Sequence, residues 1–142
     1  MFWKKNLNEY APIALRLALG SVFVMHGSQK LFGAFSGPGI AGFQGFLSSL
    51  HVIMPAFFGI VVASVEFFGG ILMILGLFTR YAALLGAINM FFAFWLVHMK
   101  KGFFSSAGGY EFVLALFLIA LALVLTGSGK FSLDRLLFKK DI

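Results

Sequence analysis

The sequence predicts an all-α integral membrane protein: a four-transmembrane-helix bundle with a short amphipathic helix in the first outer connection. Three observations carry that prediction. The chain is 61% hydrophobic, includes 20 Phe and has only 11% charged residues, against about 25% charged in ordinary soluble domains. Its apolar residues fall in four long runs, and most Lys and Arg flank those runs. A soluble fold of 142 residues could not hide so much apolar surface.

The spans are expected at about 11–35, 55–78, 81–99 and 110–126, forming a single membrane domain over 1–142. The segment before the first span, MFWKKNLNEY, lacks a small-residue cleavage site, so it reads as the start of a retained helix. The last two spans are short and are expected to stand nearly upright or to draw on flanking residues. Tyr10, Tyr81, Trp95 and Tyr110 fall at span ends, where amphipathic rings favour the interface.

Charge sets the direction. With four spans, Lys4, Lys5, Arg80, Lys130, Arg135, Lys139 and Lys140 share one side. Lys100 and Lys101, with Lys30 near the end of the first span, fall on the other. The positive-inside rule then places both termini in the cytoplasm of a multi-pass protein of the bacterial inner membrane. This placement of the net +6 charge argues against nucleic acid as a partner. The chain has no Cys, which excludes disulfides, thiolate metal sites and dithiol redox chemistry within it.

Between the first two spans, Ile40, Phe43, Leu47 and Leu50 recur at helical steps with Gln44, Ser48 and Ser49 between them. Pro38 suits a first helical turn. The spacing predicts a short helix on the outer membrane face that lids the bundle. A weak internal repeat is also visible, because VMHGSQKLF and LVHMKKGFF each precede a span carrying a glutamate. The glycines of VEFFGG, LGLF and GAIN do not spell GxxxG, so no dimerisation face is read from them, and a homo-oligomer is left open.

Ionisable groups inside hydrocarbon carry the functional expectation. Glu66 lies near the middle of the second span, where a carboxylate needs a partner, a proton or water. Arg16, His26, Gln29, Lys30, Asn89, His98 and Glu111 lie in or beside the other spans. At about 100° per residue, His26 falls about 80° and Lys30 about 40° from Arg16, so the three share a face. One polar group per helix, biased outward, predicts a pocket opening to the outside.

Three readings compete for this cluster. In a structural one, Glu66 pairs with Arg16 or His26 and fixes helix register. In a second, Glu66 and His26 exchange protons, and His26, Lys30, Glu66, His98 and Glu111 contact a quinone head group, with Arg16 and Arg80 as electrostatic partners. In a third, two His and two Glu hold a metal or haem. The Glu-x-x-His spacing of di-iron bundles is absent, and metal and haem are disfavoured. GSGK at Gly127–Lys130 lacks the earlier glycine and the following Ser/Thr of a phosphate-binding loop.

Taken together, Arg16 with LALG, then HGSQKLFG, a GF-containing connection, VEFFGGILMILGLFTR, His98, GGYEF and GSGKFSLD resemble the DoxX family from about Arg16 to Asp134. The resemblance implies a four-helix bacterial inner-membrane protein. Members are named after subunits of a quinone-linked thiosulfate oxidoreductase or are associated with membrane redox complexes. It also implies that Arg16, His26, Lys30, Glu66, Arg80, His98 and Glu111 are the family's polar positions. The leading expectation is therefore a component of a quinone-linked redox system, with a redox protein partner supplying electrons, and not a complete enzyme alone. A small transporter, exporter or proton-coupled pore would use the same cleft, and a non-catalytic scaffold or assembly factor would use the charges only to hold shape.

Overall fold

The computed structural model describes residues 7–142, so Lys4 and Lys5 lie outside the described residues. Six α-helices follow in order: α1 (Ala11–Phe32), α2 (Gly39–Ser49), α3 (Pro55–Leu75), α4 (Thr79–Ala93), α5 (Glu111–Thr126) and α6 (Leu133–Phe138). No strand occurs among the described residues. Segments 7–32, 55–75 and 79–101 are long and apolar enough to cross a bilayer, whereas α5 is apolar but has 16 residues.

The helix ends follow from local chemistry. Pro12 and Pro55 sit in first turns, where a missing N–H costs nothing. Gly33 and Gly76 close α1 and α3 in the left-handed conformation. The first span therefore stops at Phe32, three residues before the expected end at 35. Past Ala93, α4 widens into a π-helical turn over Phe94–His98 and tightens again over Met99–Lys101. π-turns of this kind cluster at functional sites.

The helices α1, α3, α4 and α5 form a ring, each packed on the next, around Leu19, Phe23, Met73, Ala83, Leu116, Ala120 and Leu123. Packing in hydrocarbon favours small residues that let backbones approach. Glycines supply that role here within the chain. A Cβ on Gly27 would lie 2.7 Å from Phe67 Cα, and one on Gly20 would lie 2.8 Å from the Gly70 carbonyl oxygen. Gly86 likewise admits the fully buried Phe23 ring.

These crossings fix the relative depth of the helices. Gly27 stands level with Phe67, so Phe32 stands near residue 62, and α3 continues about 10 Å beyond the end of α1. The space above α1 is filled by α2, whose buried Phe43 and Leu47 pack on Ala63. Gln44 Nε2 donates to the Ala56 carbonyl at 3.0 Å, over Gly59. The amphipathic helix expected in this connection is present, and it roofs the bundle.

At the opposite end the C-terminal segment ties the helix ends together. Arg16, 3% exposed, spends its donors on carbonyls: Met73 and Ile74 at the end of α3, both at 2.9 Å, and Ser128 at 2.7 Å. The Met73 carbonyl also accepts from Gly76 N at 3.1 Å, and at this end of α3 the buried cation supplies further donors and complements the negative helix end. Asp134, fully buried, accepts from Phe78 N at 2.7 Å and Thr79 N at 3.3 Å and so caps α4. That contact holds Phe78 at φ +49°, a conformation costly for a bulky residue. The GSGK segment is a structural clasp: Lys130 N donates to the Glu9 carbonyl, and Gly129 has no room for a Cβ beside it.

Arg135 and Ser128 both donate to Asp141. The Arg135 hydrogen bond chiefly, with Ser128 adding to it against partial burial, holds the Asp141 carboxyl below its ordinary 3.8. A depressed carboxyl contributes stability that is present above its ordinary value and lost as pH falls through the lower folded value. In an NMR titration of the Asp141 carboxyl carbon, the midpoint should fall below 3.8 and move back up in Arg135→Gln. A midpoint at or above 3.8 in the intact protein would contradict the clasp.

Candidate functional site

Glu66 points inward from the middle of α3 and is 3% exposed. Both of its oxygens are occupied. Oε2 receives Lys30 Nζ in an ion pair, and Oε1 accepts from Asn89 Nδ2 at 2.9 Å. Three helices thus converge on one carboxylate: α1 through Lys30, α3 through Glu66 and α4 through Asn89. The close crossing at Gly27 makes this pairing reachable, because Lys30 stands only about 3 Å above the level of Glu66. The roof helix completes the site, with Lys30 Nζ 5.2 Å from the centre of the Phe43 ring.

Electrostatics explains why this grouping is stable. A carboxylate taken out of water needs an opposite charge and hydrogen bonds on its remaining lone pairs. Lys30 supplies the charge and Asn89 the second bond. The Phe43 ring adds a cation–π contact to Lys30. The Lys30 side chain remains 20% exposed against 4% for Glu66, so Lys30 is the more accessible member of the ion pair. Its ammonium has three donors, and one is committed to Glu66.

The other expected site residues stand apart from this trio. His26 is exposed, and no side-chain hydrogen bond joins it to the trio among the described residues. It lies at the depth of Glu66, on the edge of the sector of α1 that faces α3. Arg16 is about 18 Å lower along the axis and bonds the carbonyls described above, so Lys30, and neither Arg16 nor His26, is the partner of Glu66. Arg80 Nη1 binds the Leu125 carbonyl at 3.1 Å and that of Val124, at the end of α5.

His98 and Glu111 fasten the third connection. His98 Nδ1 lies 2.7 Å from the Gly108 carbonyl, and Glu111 Oε1 accepts from Ser105 N at 2.7 Å and Ser105 Oγ at 2.6 Å. Glu66 and Glu111 therefore differ in role as well as in depth, although α1–α3 and α4–α5 are both hairpins. Among the described residues, no three His, Cys, Asp or Glu side chains are grouped to hold a metal ion. The sequence does not single out Asn89 from other span amides, nor Asp134, whose partners are backbone N–H groups 55 and 56 residues away.

A family profile described as DoxX matches residues 11–99, which include Lys30, Glu66 and Asn89. The chain belongs to the DoxX family. An uncharacterised protein of Haemophilus influenzae is 35% identical over 95% of this chain and 98% of its own length. A Bacillus subtilis protein provisionally named oxidoreductase CatD is 34% identical over 92% of this chain and 90% of its own. The Escherichia coli inner membrane protein YqjF is 30% identical over 96% and 98%. No solved structure matches significantly. This DoxX protein is thus a membrane protein with one relative carrying an oxidoreductase name.

Proposed function

We propose that this DoxX protein is the membrane-embedded component of a quinone-linked redox system, in which the Lys30–Glu66–Asn89 trio exchanges protons with a quinone head group. The observation that carries the reading is a carboxylate at mid-bundle with a proton donor on each oxygen. Reduction of a quinone takes two electrons and two protons. A protein partner supplies the electrons, since this chain has no Cys and no cofactor motif. Lys30 gives one proton to a carbonyl oxygen and is reprotonated from water through the Glu66 carboxylate. The second proton reaches the other oxygen from water by the same relay, and Asn89 keeps the carboxylate oriented. His26, exposed at the same depth, meets a lipid-borne head group arriving from the bilayer. The oxidoreductase name of the B. subtilis relative supports the same reading.

In this reading the chain spans the inner membrane four times, with α5, about 24 Å long, completed by its flanking residues. The ends of α3 and α5 and the start of α4 gather at one end with Glu9, which is the cytoplasmic side. Organic extraction of the purified protein tests the proposal. Bound quinone is expected in near-stoichiometric amount, and failure of any quinone to copurify or to bind on addition would overturn it.

A further inference from the structure

A second cleft lies far from Glu66, at the end of the bundle that carries Glu9 and the C-terminal clasp. It is a cavity of about 490 Å³ between the start of α4 and the end of α5. Arg80 and Lys140 line one part of it, and Tyr81, Leu84 and Val124 line another. Arg80 commits Nη1 to the end of α5, while its Nε and Nη2 bond no partner among the described residues. Lys140 is exposed and joins no ion pair among the described residues.

The carboxylate side chain in the cleft is Asp141, and it is already neutralised. Arg135 Nε and Nη2 reach its two oxygens at 2.9 and 3.2 Å, and Ser128 donates to Oδ1 at 2.8 Å. Ile142 also lines the cleft, and its main-chain oxygen accepts from Arg80 N at 3.3 Å. Two cations with spare side-chain donors therefore face a cleft whose other side chains, Tyr81, Leu84, Val124 and Ile142, are largely apolar. Leu84 and Tyr81 are both exposed on the outer surface of α4, the surface that meets hydrocarbon in a spanning helix. Charge above and apolar wall below match an amphiphile with an anionic head and acyl chains.

We propose that this cleft binds the head group of an anionic phospholipid, the phosphate resting on Arg80 and Lys140 and the chains running down past Leu84. The proposal is independent of the redox reading, since it uses none of the residues around Glu66. Native mass spectrometry of the protein released from mixed micelles tests it, with phosphatidylglycerol against phosphatidylcholine. Lys140→Gln should lower retained phosphatidylglycerol about fivefold, the worth of one basic residue at a membrane surface. Lys139→Gln removes an equal charge outside the cleft and should leave retention unchanged. Equal retention of phosphatidylcholine, or equal loss in both variants, would overturn the proposal. Inorganic phosphate in excess should not displace the lipid; displacement would assign the cleft to the free anion instead.

Discussion

Lys30→Met is expected to destabilise the protein by about 3 kcal/mol or more, measured by unfolding in mixed micelles. The substitution strands Glu66, whose side chain is 4% exposed, without its counter-charge. Glu66→Gln should cost less. The Lys30 ammonium it leaves behind is 20% exposed, and a lysine can move its head toward water. The substituted amide also keeps an oxygen for Asn89 and a side chain of nearly the same shape. The double variant should recover most of the loss, because two uncharged groups of matching size no longer need each other. Equal costs for both single variants, with additive loss in the double, would show that the pair is not formed.

A larger effect is expected at the α1–α3 crossing. Gly27→Leu places a Cβ against the backbone of Phe67, 2.7 Å from its Cα, where no side chain can swing aside. Overpacking in cores costs about 1–3 kcal/mol when neighbours can adjust. Here the helices must separate, which also withdraws Lys30 from Glu66, so loss of the folded protein is expected. Gly69→Ala is the control. A Cβ there meets nothing within 4 Å, and alanine is the better helix former. Size-exclusion profiles and membrane abundance would show collapse for Gly27→Leu and wild-type behaviour for Gly69→Ala. If the two behave alike, the close crossing is not as described.

Three of the spans, the roof helix and the need of Glu66 for a partner were legible from hydropathy, from the spacing of Ile40, Phe43 and Leu47, and from the cost of a charge in hydrocarbon. Pairing was not. A helical wheel gives the face of a residue but not its depth against a neighbouring helix. Arg16 and Lys30 share a face, yet only the contact of Gly27 with Phe67 reveals that Lys30, and not Arg16, is level with Glu66. His26 lies at the right depth but at the edge of the packed sector, and a lone histidine carries no signal to separate those cases. The roles of Arg16 and Asp134 escape the sequence because their partners are main-chain groups at helix ends, which are present whatever residues stand there. GSGK failed as a phosphate-binding loop, and its role escaped the sequence for the same reason: in GSGKFSLD the glycines and serines serve close backbone packing and capping.

The ion pair could hold the bundle together without exchanging protons, and the two roles separate in a single assay. Quinol formation by membranes, with Glu66→Gln matched to the natural protein in abundance and thermal stability, tests the central claim. A proton-exchanging Glu66 predicts a fall of about 100-fold or more, the ordinary contribution of a positioned acid–base group. Unchanged quinol formation in a stable, fully inserted Glu66→Gln protein would reduce the Lys30–Glu66–Asn89 trio to a structural contact.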